Sequence, residues 1–250
     1  MIKIGCCGFP VKRREYAAQF PVVELQQTFY QLPRLDTARR WRKELPPPFE
    51  FTLKAWQLIT HEASSPTYRR LRTVLRPEER RQAGSFQATP VVLRAWEATR
   101  EIALALEAVV ILFQCPARFG PTPENLYRMR RFFGDLDRNP HTLAWEPRGQ
   151  WDPAVVMELC RELDLLPAGD PFVTPPFPGS RAYFRLHGLG GYRYQYTDAD
   201  LETRKTFLAG YREVYVLINN MSMADDARRF LAVVRSHLPV KNNRLQGLYL

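Results

Sequence analysis

Eight short apolar segments recur along the chain, and most of them are followed by a polar tip and a helical pattern. The segments span residues 2–9, 22–29, 49–56, 109–116, 142–148, 165–170, 182–188 and 214–220, and they are rich in β-branched and aromatic side chains. Eight strands that alternate with helices predict a single-domain α/β protein, a (β/α)8 TIM-like barrel that spans residues 1–250. The main alternative is an open doubly wound sheet, but no G-x-G-x-x-G motif follows the first segment.

Helix starts are marked by a side-chain acceptor placed before a proline, as in Thr89-Pro90, Thr122-Pro123 and Asp152-Pro153. Two more helices are expected after Thr197 and Ser222, because each is followed by Asp three residues later in a pattern that resembles a capping box. The chain between residues 171 and 178 contains four prolines, which excludes a helix there. One crossover between strands is therefore expected to be a Pro-rich loop.

The chain carries a net charge of +10 at pH 7, and 30 of its 36 basic residues are arginine. Arginine binds phosphate through paired hydrogen bonds and stacks on nucleobases. The composition therefore indicates a phosphate-bearing small molecule or a nucleic acid as the partner. Replacement of surface lysine by arginine in an arginine-rich genome is an equally simple alternative.

No apolar run approaches the roughly 18 residues that a transmembrane helix needs, and the N-terminus lacks the apolar stretch of a signal peptide. We therefore expect a cytoplasmic protein with no membrane partner. The four cysteines show no zinc-ligand spacing and are expected to be reduced thiols. No cofactor motif is visible. The one candidate cofactor is a divalent metal ion in an oxygen-rich site formed by Glu24, Glu146, Asp170 and His187. No metal-ligand spacing in the sequence supports it.

Side chains alternate across a strand, which sorts residues between the barrel lumen and the surface that faces the helices. In the seventh segment Tyr183, Arg185 and His187 share one face, while in the third Lys54 lies opposite the apolar face. The same alternation places polar residues late in other segments: Glu24 and Gln26 with Val22, Gln114 with Leu112, Glu146 with Ala144, and Asn220 with Val216 and Ile218. Barrel enzymes keep their active sites at these carboxyl ends, so we expect the polar residues to converge there.

The chemistry of these residue types suggests their roles. Two carboxylates beside cations suit acid/base catalysis because their pKa values can be driven apart. Histidine transfers protons near neutral pH, and Lys or Arg can bind an anion. The candidate catalytic residues are Glu24, Glu146, His61 and His187. The candidate substrate-binding residues are Lys54, Gln114, Arg148, Arg185, Asn219 and Asn220. A purely structural network of ion pairs that closes the barrel is the alternative.

Residues 23–33 read VELQQTFYQLP, and further blocks follow in order around Lys54, Gln114, Glu146, Arg185 and Asn219. Together these blocks resemble the motifs of the YecE-like family, a domain of unknown function also called DUF72. The resemblance implies a TIM-like barrel, similar in shape to sugar isomerases and apurinic endonucleases, whose reaction is not established. Tyr30 and Tyr196 match tyrosines of the family's motifs and join the candidate substrate-binding residues.

Two positions depart from the family's usual pattern. The first strand ends in Gly5-Cys6-Cys7-Gly8-Phe9, where the family has "GTSGW", so a hydroxyl role is not expected there. Met221 follows Asn219 and Asn220 in place of the acidic residue common in the family. That difference argues against a metal site on the eighth strand.

Two surface segments could contact a polyanion. The loop after the seventh segment carries glycines and the residues Tyr192, Arg193, Tyr194 and Tyr196, which could bind phosphate and stack on bases or could fold into their own aromatic cluster. An insertion after the third segment carries six arginines, Arg69, Arg70, Arg72, Arg76, Arg80 and Arg81. The insertion could be a lid or a nucleic-acid contact, or a solvated helix face offset by Glu78 and Glu79.

These features predict an enzyme, of the hydrolase, lyase or isomerase type, that acts at the C-terminal mouth of the barrel. The substrate would contain phosphate and could be a nucleic acid, the chemistry would be carboxylate acid/base catalysis, and Arg and Lys would bind the anion. A nucleic-acid-binding protein without catalysis and an enzyme for a small carbohydrate are the alternatives.

Overall fold

Eight parallel strands form a closed barrel in the computed structural model, which describes residues 1–236. The strands are β1 (Ile2–Cys6), β2 (Val22–Leu25), β3 (Glu50–Lys54), β4 (Val110–Gln114), β5 (Thr142–Glu146), β6 (Leu166–Gly169), β7 (Arg181–Leu186) and β8 (Glu213–Ile218). Each strand pairs with its neighbour in chain order, and β8 closes the barrel against β1. The predicted (β/α)8 TIM-like barrel is confirmed. The predicted domain includes residues 237–250, which lie outside the described residues.

Every predicted segment overlaps a strand that ends before the segment does. The strand β1 ends at Cys6, β2 at Leu25 and β5 at Glu146, each at least two residues before the end of its apolar segment. The backbone leaves the parallel ladder at these points and turns toward the following helix or loop. The polar residues late in each segment consequently lie at the rim of the barrel.

Ten helices surround the barrel among the described residues, and two short 3-10 helices span Pro66–Arg70 and Thr206–Leu208. The helices are α1 (Arg13–Ala17), α2 (Gln27–Tyr30), α3 (Leu35–Glu44), α4 (Gln57–Thr60), α5 (Pro77–Arg81), α6 (Pro90–Leu106), α7 (Pro123–Gly134), α8 (Pro153–Glu162), α9 (Asp198–Lys205) and α10 (Met223–Ser236). The side chains of Thr89, Thr122 and Asp152 accept backbone N–H groups at the starts of α6, α7 and α8. The chain from β6 to β7 is a loop, as its prolines predict.

Two apolar layers pack on either side of the barrel wall. The outer layer lies between the strands and the helices, whereas a smaller cluster fills the lumen with Val22, Val110, Leu112, Ala144, Leu166, Ala168, Tyr183, Tyr215 and Leu217. The predicted alternation is correct for β2, β4, β5 and β7 and wrong by one residue for β8, because Val216 and Ile218 belong to the outer layer. The lumen face of β8 therefore continues into Asn219, and Asn220 belongs to the outer side.

Buried polar side chains close the N-terminal end of the barrel. Lys3 Nζ donates to Glu50 Oε1 at 2.6 Å, to Glu213 Oε1 at 2.9 Å and to the Tyr215 hydroxyl at 3.0 Å. Arg181 Nε adds a hydrogen bond of 2.9 Å to Glu213. The charge of Lys3 is therefore paired with two carboxylates at this end. No helix among residues 1–236 has the length and apolar character needed to cross a membrane.

Candidate active site at the barrel mouth

Arg185 lies between two carboxylates at the C-terminal end of the lumen. Its Nε and Nη2 donate to the carboxylate of Glu24 over distances of 2.9 to 3.2 Å, and its Nη1 donates to Glu146 Oε2 at 2.5 Å. The three residues come from β7, β2 and β5, and each is at most 2% exposed. The convergence expected from strand order therefore exists for these three residues.

The remaining donor directions of Arg185 also face the protein. Nη2 lies 3.8 Å from Cys7 Sγ, and Nη1 lies 3.5 Å from His187 Nε2. The guanidinium is 1% exposed. Its two carboxylates raise the pKa of Arg185 further above its ordinary value although burial opposes them, so the group stays charged.

Glu24 is the most fully bonded carboxylate at the mouth. Besides Arg185, it accepts hydrogen bonds from the Tyr183 hydroxyl at 2.8 Å, from the Cys7 thiol at 3.4 Å and from the amide of Gln26. Burying a carboxylate is costly unless hydrogen bonds and a partner charge compensate, and Glu24 has both. These contacts hold the Glu24 side chain in one position.

Glu146 joins the central ion pair to the rim. Its Oε1 lies 2.8 Å from Arg148 Nη2 and 3.4 Å from His187 Nε2. Burial would raise the pKa of Glu146, but the charge of Arg185, the hydrogen bond from His187 and the charge of Arg148 hold it well below its ordinary value. Glu146 is therefore ionised at neutral pH.

His187 is the histidine that this network positions. Its backbone N–H donates to Asp170 Oδ2 at 2.9 Å, its Nδ1 lies 3.0 Å from Asn219 Nδ2, and Arg148 Nη2 lies 2.7 Å from its Nε2. The imidazole is 22% exposed, in contrast to the carboxylates behind it. It is the one histidine of the mouth that combines a fixed orientation with access.

Lys54 ends β3 beside this network without a carboxylate partner in the ion pairs of residues 1–236. Its Nζ donates to Gln114 Oε1 at 2.6 Å and lies 3.8 Å from the centre of the Phe29 ring. Burial and the nearby charge of Arg185 lower the pKa of Lys54 to about 7, although Glu146 and Glu24 oppose the shift. Lys54 therefore changes its charge near neutral pH.

His61 directly follows α4 and is buried. Its ring packs edge-on against Phe29 at 4.9 Å, and Nδ1 lies 2.8 Å from the Thr60 hydroxyl. Burial, together with the charges of Lys54 and Arg118, lowers the pKa of His61 to about 3. The imidazole is consequently uncharged at neutral pH and packs behind the site.

A cavity of about 630 Å³ opens beside this network, between the ends of β1, β2 and β8. Cys7 and Asn219 link its lining to Glu24 and His187, respectively. Its other lining residues are Gly8, Phe9, Arg13, Leu25, Gln26, Gln27, Tyr30, Trp41, Arg70 and Tyr192. The lining thus combines two arginines, three amides and four aromatic rings.

The insertion between β3 and α6 brings Arg70 to this cavity. The Arg70 guanidinium lies 3.5 Å from the centre of the Tyr30 ring, and Gln31 Oε1 accepts the backbone N–H groups of Arg72 at 3.1 Å and Thr73 at 3.2 Å. A stacked guanidinium keeps its N–H edge available for an anion. The segment therefore adds a positioned cation to the rim.

The other arginines of the insertion differ in their surroundings. Arg76 pairs with Glu79 at 3.3 Å and Arg81 pairs with Glu78 at 3.5 Å, both on the exposed helix α5. This part of the insertion has the ion-paired character expected of a solvated helix face.

Tyr30 and Asn219 are the two of the eight candidate substrate-binding residues that line the cavity, and Tyr196 and Asn220 also lie outside the charged network. Tyr196 is 1% exposed, its hydroxyl accepts the backbone N–H of Gly188 at 2.7 Å, and its ring stacks on Phe172. Asn220 is buried and donates to Asp226 Oδ2 and to the Tyr194 carbonyl, both at 2.7 Å. Both residues hold the β7–β8 connection in place.

No group of three or more His, Cys, Asp or Glu side chains within residues 1–236 is arranged to hold a metal ion. Arg185 lies between Glu24 and Glu146, so a guanidinium already balances the charge of the two carboxylates. The oxygens of Asp170 accept the backbone N–H groups of His187 and Phe172. The four residues considered as a metal site are therefore occupied with protein partners.

Sequence reasoning did not assign Cys7, Arg13 or Trp41 to the site. Cys7 directly follows β1 on its lumen face, so strand alternation could have found it. Arg13 and Trp41 come from α1 and α3, and only the packing of those helices over the mouth brings them to the cavity. The sequence contains no local signal for that packing.

The closed barrel, with charged side chains at the carboxyl ends of its strands, defines a TIM-like barrel protein. Residues 10–246 match the family described as "Protein of unknown function DUF72". The chain belongs to this family. It is also 25% identical to the UPF0759 protein YunF of Bacillus subtilis over 249 residues, which covers 86% of this chain and 83% of that protein.

Solved structures share the fold. A DUF72 family protein from Enterococcus faecalis aligns over 94% of this chain and 98% of its own, with a TM-score of 0.71 and 22% identity. One from Thermotoga maritima aligns over 94% and 99%, with a TM-score of 0.68 and 20% identity. A D-psicose 3-epimerase aligns over 94% and 98%, with a TM-score of 0.59 and 11% identity.

Proposed function

We propose that this protein is an enzyme that acts at the C-terminal mouth of its barrel on a small phosphate-bearing substrate. The observation that carries the proposal is the charge of the cavity. Its lining includes Arg70, as well as Arg13, which pairs with Glu44 outside the lining at 2.6 Å, and within residues 1–236 the lining contains no carboxylate. An anionic ligand is attracted to a concave surface of that charge.

Residues of the cavity lining and of the charged network supply the individual roles. Arg148, whose side chain is 40% exposed, and Arg70 bind the phosphate through paired hydrogen bonds. His187 transfers a proton, with Glu146 orienting and stabilising its ring. Glu24 and Arg185 act as positioning residues in this proposal, because their polar atoms are taken up by the protein.

A small carbohydrate is the second candidate substrate class. The rings of Tyr30, Trp41 and Tyr192 and the amides of Gln26 and Gln27 line the same cavity, and aromatic faces and amides also suit sugars. One solved structure with the same fold is named a D-psicose 3-epimerase. At 11% identity this likeness supports the fold of the present chain and not its substrate. Nucleic acid remains a third candidate through the exposed arginines of the insertion.

Binding of pyrophosphate, measured by calorimetry at two salt concentrations, tests the proposal. We expect binding that weakens as salt rises and that falls at least about tenfold in R148Q and in R70Q, since each removes a charge-assisted contact. R69Q, which removes a neighbouring exposed arginine, is the matched control and should bind as the wild type does.

Salt-independent binding of D-fructose together with no binding of pyrophosphate would contradict the phosphate assignment and favour the carbohydrate. An RNA oligonucleotide that binds more tightly than pyrophosphate, with binding lost in R76Q/R81Q and kept in R148Q, would contradict the assignment of a small phosphate-bearing substrate and favour nucleic acid.

A further inference from the structure

Most of the aromatic rings that line the cavity of about 630 Å³ already have a partner inside the protein. The Phe9 ring packs edge-on against a neighbouring tyrosine, with the ring centres 5.1 Å apart. The Arg13 guanidinium lies 5.6 Å from the centre of the Trp41 ring, and a second guanidinium covers Tyr30 at 3.5 Å. These three rings are therefore parts of the cavity wall that the protein itself occupies.

Tyr192 is the ring of the lining that has no such partner. It is 55% exposed, and no ring contact, cation–π contact or hydrogen bond engages its side chain within residues 1–236. Its loop is nevertheless fixed, because the Tyr192 carbonyl accepts the Met221 N–H at 2.9 Å and Asn220 Nδ2 donates to the nearby Tyr194 carbonyl at 2.7 Å. An anchored backbone thus holds an open aromatic face at the cavity.

The three amides of the lining differ in the same way. Gln26 donates to the Glu24 carboxylate, and Asn219 Nδ2 lies 3.0 Å from His187 Nδ1. The Gln27 side chain is exposed at the start of α2, and in the described part of the chain it forms no hydrogen bond. Gln27 therefore keeps both its amide donors and its carbonyl acceptor for a ligand.

The two arginines of the lining differ as well. Arg13 Nη2 pairs with Glu44 at 2.6 Å, which balances the charge of that guanidinium. Arg70 joins no ion pair among residues 1–236, and the Tyr30 ring supports one face of its guanidinium. The N–H edge of Arg70 consequently stays available for an anion.

We propose that the ligand of this cavity is a nucleotide whose base stacks on Tyr192, whose base edge bonds to Gln27 and whose phosphate binds Arg70. The proposal rests on the proposed function in placing a phosphate at the mouth, and it adds the class of molecule that carries this phosphate. An open ring, an open amide and an unpaired cation match the three parts of a nucleotide, which are a planar base, the donors and acceptors on its edge, and an anion.

A sugar phosphate matches these groups less well. Its phosphate would use Arg70, but it has no planar ring for Tyr192, and its hydroxyl donors find no carboxylate acceptor in the lining within residues 1–236. The volume of the cavity also favours the larger ligand, since cavities of roughly 300–1,000 Å³ bind molecules of drug size. Pyrophosphate alone would leave most of this space to water.

Calorimetry on the whole protein tests the proposal with ligands that differ mainly in the base. The nucleoside monophosphates AMP, GMP, CMP and UMP are titrated beside ribose 5-phosphate, which lacks the base, and pyrophosphate. We expect at least one nucleotide to bind about tenfold or more tightly than ribose 5-phosphate, which is within the range that stacking of a base on an aromatic ring contributes. Four nucleotides that bind no more tightly than ribose 5-phosphate would overturn the proposal.

Variants locate the base within the cavity. Y192A should reduce nucleotide affinity to that of ribose 5-phosphate and leave pyrophosphate affinity unchanged, whereas Y192F, which keeps the ring, should bind nucleotides as the wild type does. Y127A is the matched control, because Tyr127 is 60% exposed on α7 and does not line the cavity. Q27L should weaken nucleotide binding about tenfold without changing ribose 5-phosphate binding. A nucleotide preference that survives both Y192A and Q27L would overturn the assignment.

The same titrations separate this proposal from the phosphate assignment. Binding of pyrophosphate without a preference for any nucleotide would keep the proposed function and overturn the nucleotide. A nucleotide preference that depends on Tyr192, but neither on salt nor on Arg70, would support the base site and contradict the binding of phosphate at the mouth. Absence of binding for all six ligands would overturn both.

Discussion

Arg185 of β7 and Glu24 of β2 form a buried ion pair across the barrel lumen, with three hydrogen bonds of 2.9 to 3.2 Å between residues 161 positions apart in the chain. Both side chains are at most 1% exposed. A buried carboxylate that loses its cation has no water to replace it, so each partner depends on the other. The pair therefore fixes the position of two strands and of the site above them.

Removal of Arg185 should destabilise the protein strongly. R185M leaves Glu24 and Glu146 buried without their shared cation, and we expect a loss of roughly 3–5 kcal/mol in the free energy of unfolding, measured by urea denaturation. The matched control is R130M, because Arg130 forms a bidentate pair with Glu162 on the exposed surface. That pair should contribute less than about 1 kcal/mol. Equal effects of the two substitutions would contradict the structural role of Arg185.

Glu146 should make stability depend on acid. Because Arg185 and its neighbours hold the pKa of Glu146 below its ordinary value despite burial, its contribution is complete above the unfolded-state value of 4.5 and is lost as the pH falls toward the folded-state value. The free energy of unfolding of the wild type, measured by urea denaturation, should therefore fall more steeply between pH 6 and pH 3 than that of E146Q. Parallel profiles would show that Glu146 is not stabilised as an anion.

Lys54 should make stability depend on pH in the opposite direction to an ordinary ion-paired lysine. Its pKa of about 7 in the folded protein lies below the unfolded-state value of 10.5, so between these values the unfolded chain binds the additional proton. The stability of the wild type relative to K54M should consequently rise as the pH increases from 7 to 10. A difference that stays constant over this range would contradict the neutral amine.

The turn at Gly84 supports the mouth from behind. Gly84 has a φ of +87°, and a Cβ there would lie 2.3 Å from the carbonyl carbon of His61 and 2.4 Å from the nitrogen of Glu62. G84A should cost roughly 3 kcal/mol or more, since strain and a backbone clash add. Gly210 has a similar φ of +89° with open space around it, so G210A should cost only about 1 kcal/mol. Equal thermal shifts would contradict the close packing at Gly84.

The sequence predicted the elements that depend on local patterns. The proline after Thr89, Thr122 and Asp152 marked three helix starts that the structure contains, and alternating side chains placed Glu24, Lys54, Gln114, Glu146 and Arg185 at the mouth. Eight strands in α/β order then required closure, which brings residues from distant parts of the chain together.

Other features depend on contacts that no local pattern records. The alternation on β8 failed by one residue because Tyr215 and Leu217, not Val216 and Ile218, fill the lumen, and both sets are apolar enough for either side. The contact between Arg70 and Tyr30 requires the insertion to fold over the rim, which its composition does not reveal. Likewise, only coordinates show that Arg185 pairs with the carboxylates whereas Lys54 does not.

The most direct measurement of the central claim is a crystallographic map of the protein soaked in pyrophosphate. We predict density for the anion at the C-terminal mouth, with its oxygens within hydrogen-bonding distance of Arg148 and Arg70. Density confined to exposed arginines such as Arg76 and Arg81, with only water at the mouth, would contradict the account.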